Sequence, residues 1–573
     1  MSSIAPQPLL AGFGATLLLG LAACSASNDE PAASVVAPPK MKQEVLHEAA
    51  DGNASYAPQP SVAAGSMEAR KAVPQLMPMI APAAPLADSA AFGYQDVYRE
   101  QYQKIESSPV QAVAQQPVST FSIDVDTGAY ANVRRFLNDG SLPPKDAVRL
   151  EELVNYFPYA YPKPEGDVPF SVATELAATP WNPETRLLRV AIKAADLSAA
   201  ELPPANLVFL VDVSGSMDRR EGLPMVQSTL KLLVDQLRPQ DRVALVTYAG
   251  NASVVLESTA GSDKARIRTA IGQLSAGGST AGESGIQLAY QEAQKGLLKG
   301  GINRILLATD GDFNVGISDF ETLKQLAADK RKTGVSLTTL GFGTDNYNEQ
   351  LMEQLADAGD GNYAYIDNLR EARKVLVDQL SSTLAVVAKD VKIQVEFNPA
   401  EVSEYRLLGY ENRALKREDF SNDKVDAGEI GAGHTVTALY EVVPVGAKGW
   451  LEPLRYTQAN EKPGKAGEIA WLRLRYKAPE GGASQLVERP IGKGQATPIN
   501  QASEDLRFAA AVAAFAQQLG DAKYTGDFSL ADSARLARGA KGEDPFGLRG
   551  EFVQLVELAQ SLQTPQNVQV RAD

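Results

Sequence analysis

Near-continuous apolar runs alternate with amphipathic stretches through the middle of the chain. "NLVFLVDV" and "NRILLATDG" are the clearest of these runs, the pattern of strands buried on both faces. After the first, Met225, Leu230, Leu233 and Leu237 recur at helical spacing. "RVALVTYAG" and "ASVVLEST" then read as a strand pair, and "DKARIRTAIGQL" as a helix with Asp263 near its start. "GESGIQLAYQEAQKGLL" and "SDFETLKQLAADKRKTG" predict two more helices, the latter with a Ser318 cap and a Gly334 stop. "VSLTTLGFG" and "GNYAYID" predict strands, with a helix between them, and "LREARKVLVDQLSSTL" predicts a closing helix. Repeated strand–helix units over 201–384 predict an α/β domain with a doubly wound, mostly parallel sheet.

The pattern differs on either side. Over 92–200, Phe121, Ile123 and Val125 alternate at strand period, and Val133, Phe136 and Leu137 follow at helical spacing. Val148, Leu150, Leu153, Val154 and Phe157 build a second amphipathic face, and "FSVATELAATPWNPETRLLRVAIKA" reads as two strands. This predicts an N-terminal α+β domain whose strands join a sheet with the C-terminal region. Over 385–495, "DVKIQVEFNP", "EYRLLGYE", "TVTALYEVVPV" and "EIAWLRLRYKAP" are rich in β-branched and aromatic residues and predict a β-sandwich-like domain. Residues 496–573 predict a helical segment. Trp181 and Trp471 are expected in the core, and His434 beside Gly433 in a surface turn. Asp124 and Asp126 are expected to shape a turn and cap the next helix, because the remaining acids of an EF-hand loop are absent.

The chain's 573 residues, 44% hydrophobic and 22% charged, supply enough apolar side chains for several cores. Its net charge of −15 argues against a general nucleic-acid partner and is compatible with divalent cations. One cysteine, Cys24, and two histidines, His47 and His434, leave no intrachain disulfide, no Cys-rich zinc site and no HExxH pair.

An apolar run from Leu9 to Leu21, with no Lys or Arg before it, is followed by small residues and then Cys24. That length suits a signal sequence and is short for a membrane span. Leu21-Ala22-Ala23-Cys24 resembles the bacterial lipobox. The resemblance implies a signal peptide over 1–23, lipidation of Cys24 and, with Ser25 next, a lipid-anchored cell-envelope protein with the outer membrane favoured. Residues 24–91, rich in Ala, Pro and Ser, read as a disordered tether.

Three polar clusters fall at predicted strand ends, where open α/β sheets bind ligands. They are Asp212-Val213-Ser214-Gly215-Ser216, the "AGGSTAGES" stretch with Thr280, and Asp310 in "LLATDGDFN". Hydroxyls of Ser214, Ser216 and Thr280, with the carboxylates of Asp212 and Asp310, form an oxygen donor set for a hard cation. Helix capping by Ser214, Ser216 and Thr280 is the competing reading, and Ser279 is an alternative to Thr280.

DxSGS after a buried strand, a Gly-Gly-Ser-Thr loop and a strand-terminal TDG together resemble the von Willebrand factor type A (VWA) domain and its metal-ion-dependent adhesion site. The order of segments is similar to that of bacterial VWA-domain lipoproteins. The resemblance implies a divalent cation, Mg²⁺ with Ca²⁺ or Mn²⁺ as alternatives, held by Asp212, Ser214, Ser216, Thr280 and Asp310. It implies a binding protein with no enzymatic activity, whose partner is an envelope or extracellular protein presenting an acidic residue. A metal-stabilised envelope scaffold and a metal-dependent hydrolase are the alternatives. The hydroxyl-rich set is short of the carboxylates and histidines that two-metal hydrolysis needs.

Overall fold

A computed structural model describes residues 100–563 apart from 105, 124–125, 167, 199, 280–281, 312–319, 345–346, 426, 453–464 and 495. The expected signal peptide (1–23), the tether (24–91), Cys24, Asp124 and Ser318 therefore lie outside the described residues.

The central sheet contains β5 (Ala205–Asp212), β6 (Arg242–Tyr248), β7 (Ala252–Ala260), β8 (Ile302–Thr309), β9 (Ser336–Gly341) and β10 (Tyr363–Tyr365). Its order is β10-β9-β8-β5-β6-β7, and every pairing is parallel except β6 with β7. β5 is buried along its whole length, as its unbroken apolar run requires. Helices α3 (Leu223–Gln236) and α4 (Lys264–Gly272) pack on one face with Phe209, Val211 and Leu306. Helices α5 (Gly282–Lys295), α6 (Phe320–Arg331) and α7 (Glu349–Ala358) cover the other, against Val208, Leu210 and Leu307. Asp263 and Asn348 cap α4 and α7 by accepting the N–H groups of Arg266 and Leu351. This is the doubly wound fold the pattern predicts.

One predicted element breaks up. The closing helix over 369–384 is α8 (Leu369–Arg373), a π-helical turn at Lys374–Asp378, and α9 (Leu380–Leu384).

The flanks are one body built from both ends of the chain. β1 (Gln111–Ala112), β3 (Phe170–Ala178) and β4 (Arg186–Ala194) share a sheet with β12 (Val402–Leu408) and β14 (Thr435–Pro444), in the order β1-β12-β14-β4-β3. β2 (Val118–Ser122) pairs with β11 (Val386–Phe397) in a second sheet. There β11 also joins β13 (Ile430–Gly431) and β15 (Glu468–Lys477), and β15 joins β16 (Gln485–Gly492). The two sheets enclose a core that includes Phe121, Val190, Ile192, Ile393, Tyr440 and Leu474. The strands of the N-terminal α+β segment thus complete the C-terminal sandwich, the sheet sharing expected of them.

The outer face of the first sheet is covered by α1 (Gly128–Asn138), α2 (Leu150–Asn155), α10 (Glu504–Leu519), α11 (Leu530–Arg538) and α12 (Leu548–Gln563). Phe157, Phe508, Phe515 and Phe552 meet edge to face there, with ring centroids 4.8–5.6 Å apart. Helix α11 begins with a reciprocal capping box between Ser529 and Asp532. Ser529→Ala is expected to cost about 1 kcal/mol of stability, measurable as a lower denaturant midpoint with an unchanged slope.

Of the single-residue expectations, that for Trp181 holds and those for Trp471 and Asp126 change. Trp181 is buried and donates to Glu441 at 3.1 Å. Trp471 is only half-buried on β15, with its indole near Glu488. Thr127 occupies the N-cap of α1 and makes no side-chain cap bond. Asp126 instead accepts the N–H of Tyr363 at 2.8 Å, tying the segment before α1 to β10.

Candidate metal centre

The carboxyl ends of β5, β6 and β8 bring the candidate residues together. In register, Asp212 at the end of β5 stands opposite Tyr248 at the end of β6, and Val211 opposite Ala308 on β8. Asp212 is fully buried, and Ser214 and Asp310 are nearly so. Asp212 Oδ1 accepts the Ser214 N–H at 2.9 Å, while Oδ2 accepts the hydroxyls of Thr309 at 2.9 Å and Tyr248 at 3.2 Å. Oγ atoms of Ser214 and Ser216 lie 3.0 Å apart. Neither serine hydroxyl caps a helix: the 3₁₀ turn at Gly215–Met217 and α3 both begin without a side-chain cap bond. That removes the capping alternative for these two residues.

The Gly-rich loop is stitched to the same turn. Gly277 N–H donates to Val213 O at 2.8 Å, and Gly215 N–H to Gly278 O at 3.0 Å. Gly278 has φ +96°, a left-handed backbone that favours glycine. Thr280 lies outside the described residues, and Ser279 immediately before it is exposed. On the third loop, Gly311 has φ +82°, and a Cβ would sit 2.9 Å from Asn348 N at the cap of α7. Asp310 is thereby fixed between β8 and the start of α7.

Three supporting residues escaped the sequence reading. Thr309 was hidden inside an apolar run, and its hydroxyl joins β8 to the β5 acid while accepting the Gly311 N–H at 3.1 Å. Tyr248 is buried and orients the same carboxylate from β6. Arg219 was also unremarked; it clamps the turn by donating to Ser216 O at 2.8 Å and Thr344 O at 2.9 Å.

The electrostatics suit a cation. Burial pushes the Asp212 carboxyl up to about 6; the Ser214 N–H opposes this, and the neighbouring Asp310 charge adds to it. The Asp212 carboxyl is thus held where the Asp310 charge disfavours its ionisation, next to the hydroxyls of Ser214 and Ser216. Among the described residues no group of three or more His, Cys, Asp or Glu is placed to hold a metal, so a bound ion would rest on hydroxyls and these two acids. Asp212, Ser214, Ser216 and Asp310 fit a hard divalent cation on that chemistry.

The pH dependence follows from the raised value. Without a cation, Asp212 contributes stability below its unfolded pKa near ~3.9 and loses it as pH rises through about 6. A divalent cation requires the ionised form. The increase in melting temperature produced by Mg²⁺ is therefore expected to be full well above that pH and to fade below it, as thermal melts with and without Mg²⁺ across that range would show.

The family model described as "von Willebrand factor type A domain" matches residues 206–379. A second, "von Willebrand factor", matches 96–189, and a third, "Uncharacterized protein YfbK, C-terminal", matches 382–562. The fold and the central match make this a bacterial VWA-domain protein. The chain belongs to the YfbK family: it is 53% identical over 467 residues to "Uncharacterized protein YfbK" of Escherichia coli (strain K12), covering 80% of each chain. It is 36% identical over 188 residues to "Uncharacterized protein sll0103" of Synechocystis, covering 33% of this chain and 43% of that one. A solved "von Willebrand factor type A from Catenulispora acidiphila" aligns with TM-score 0.39 at 18% identity, over 66% of this chain and 88% of its own.

Proposed function

We propose that this chain is a lipid-anchored cell-envelope protein that captures a protein partner through a divalent cation at the ends of β5 and β8. The observation that carries the reading is the convergence of Asp212, Ser214, Ser216 and Asp310 on one crevice, with the Gly277–Gly278 loop bonded to its rim. When bound, the cation supplies an electrophilic centre for an oxygen ligand, and an acidic side chain of the partner matches that chemistry. The chain's own residues orient the donors. Thr309 and Tyr248 hold Asp212, Arg219 holds the turn of Ser216, and the Gly loop keeps the crevice open. The serines are read as oxygen donors: among the described residues the one histidine, His434, lines a separate cavity. In this reading the site acts by binding. Cys24 carries the anchor and 24–91 the tether. No helix among the described residues is long and apolar enough to cross a membrane; the lipid anchor of this reading rests on the Leu21-Ala22-Ala23-Cys24 stretch.

The test is partner capture from envelope extracts by wild type and by Asp212→Asn, each in Mg²⁺ and in EDTA. The reading expects a set of proteins held only by wild type in Mg²⁺. An identical set in all four samples contradicts it. Melting of the domain by EDTA with no change in any partner would support a metal-stabilised scaffold instead.

A further inference from the structure

A cavity of about 470 Å³ lies where the π turn after α8 meets the sandwich and the helical layer. It is separate from the strand-end crevice and is lined by Thr338 and Asn362, near the amino-terminal ends of β9 and β10. Four cationic residues line it, Lys193, Arg370, Arg373 and Lys374, with two carboxylates, Asp196 and Asp378. Each cation also has an acid beside it: Asp196 lies 2.7 Å from Lys193, Asp378 3.7 Å from Arg373, Glu551 3.2 Å from Arg370 and Glu371 3.2 Å from Lys374. The lining itself carries more cations than acids, opposite in sign to the chain's overall −15. Arg370 and Arg373 stand at the exposed mouth beside Phe546, itself 54% exposed. Lys374 lies inside, nearly buried.

Two further groups sharpen the sign. Arg304, on β8 behind the wall, is 2% exposed and donates to Thr338 Oγ1 at 2.5 Å and Asn362 Oδ1 at 3.5 Å. Glu429 and Asp360 are the carboxylates whose charge acts on its guanidinium, and neither is in direct contact with it among the described ion pairs. On the opposite wall, His434 is half-buried beside Gly433, and its Nδ1 is shielded from water without a hydrogen-bond partner. The expected surface-turn histidine is thus a cavity residue. Buried polar atoms of this kind are satisfied in native proteins by a partner or a ligand.

We infer that this cavity binds a small organic anion carrying a phosphate or carboxylate group. Its volume falls in the range of small-molecule sites and exceeds what a bare inorganic ion fills. The cationic lining selects the charge, and the polar wall of Thr338, Asn362 and His434 offers orienting groups. Burial, with Lys374 and Lys193 adding to it, holds the His434 imidazole down to about 4. An anion placed there opposes that shift. The π turn that forms part of the wall is a backbone irregularity of the sort found at functional sites.

The chain's two histidines make the test direct, because His47 serves as an internal control for His434. Histidine-selective NMR of the full chain would follow both imidazoles during titration with inorganic phosphate, ribose 5-phosphate and citrate, at constant ionic strength held with chloride. The expected result is a saturable shift of His434 alone, tighter for an organic probe than for phosphate. Its pKa should rise by about one unit or more. Arg373→Ala, at the exposed mouth, should weaken binding several-fold without changing the melting temperature. Absence of a saturable His434 shift with every probe overturns the inference. So does an equal drift of both histidines, which is a salt effect, or a response of equal affinity in Arg373→Ala and Lys193→Ala.

Discussion

Arg134→Ala is expected to lower the unfolding free energy by about 3–5 kcal/mol, the cost of breaking a buried ion pair from one side. Arg134 on α1 is 1% exposed, and its guanidinium is used on every edge. It donates to both oxygens of Asp367 at 2.5 and 2.7 Å, to Glu371 at 2.8 Å, to Tyr156 Oη at 2.8 Å and to Glu551 at 3.1 Å. Those partners come from the loop before α8, from α8 itself, from the turn after α2 and from α12. A single side chain therefore joins the VWA domain to both flanking parts. Its removal leaves Asp367 and Glu371 buried with Lys374 as the remaining close cation, 3.2 Å from Glu371. Arg134→Lys should recover only part of the loss, since a point charge cannot replace the planar fork that grips Asp367. Urea unfolding of the three proteins measures this directly. A loss below about 1 kcal/mol for the alanine variant would place the network among ion pairs that contribute little.

The second large effect concerns the cation. Asp212→Asn is expected to reduce Mg²⁺ affinity by at least about a hundredfold, the upper end of what loss of an outer-sphere partner costs and a minimum for loss of one of two carboxylates. The amide oxygen can still accept the Ser214 N–H while the NH2 donates to the hydroxyl oxygens of Thr309 and Tyr248, so the local contacts are kept with two of them reversed while the charge is lost. Removing that charge also relieves its repulsion with Asp310. The cation-free variant should thus melt no lower than cation-free wild type, while the increase in melting temperature on adding Mg²⁺ disappears. Affinity lost together with folding would show a structural collapse instead, which is why both are measured on one preparation.

Much of this site was legible in the sequence because an unbroken apolar run marks a strand buried on both faces, and Asp212 is where that run ends. Ser214 and Ser216 were legible as the polar turn that follows, which the structure shows as a 3₁₀ turn and not as a continuation of the strand. Asp310 was legible for the same reason at the end of β8. The support for those residues was hidden. Thr309 and Tyr248 fall within ordinary strand patterns, and their roles appear only when β5, β6 and β8 are set in register.

The flanks were legible as elements and much less so as partners. Ser119 and Phe121 meet Val395 and Ile393 across some 270 residues of chain, a pairing no local pattern encodes. Arg134 in "ANVRRFLN" reads as the solvated face of an amphipathic helix, and its burial depends on acids more than 230 residues away. His434 likewise follows a glycine in what reads as a turn, and only the packing of the sandwich against the π turn makes it part of a cavity wall.

The most direct measurement of the central claim is a calorimetric titration of Mg²⁺ into the metal-stripped full chain, alongside Asp212→Asn and Asp310→Asn. The account predicts one saturable site in wild type, lost in both variants, with each variant retaining the cation-free melting temperature. Saturable binding of equal affinity in all three proteins, or no binding in wild type above the pH at which Asp212 ionises, would contradict it.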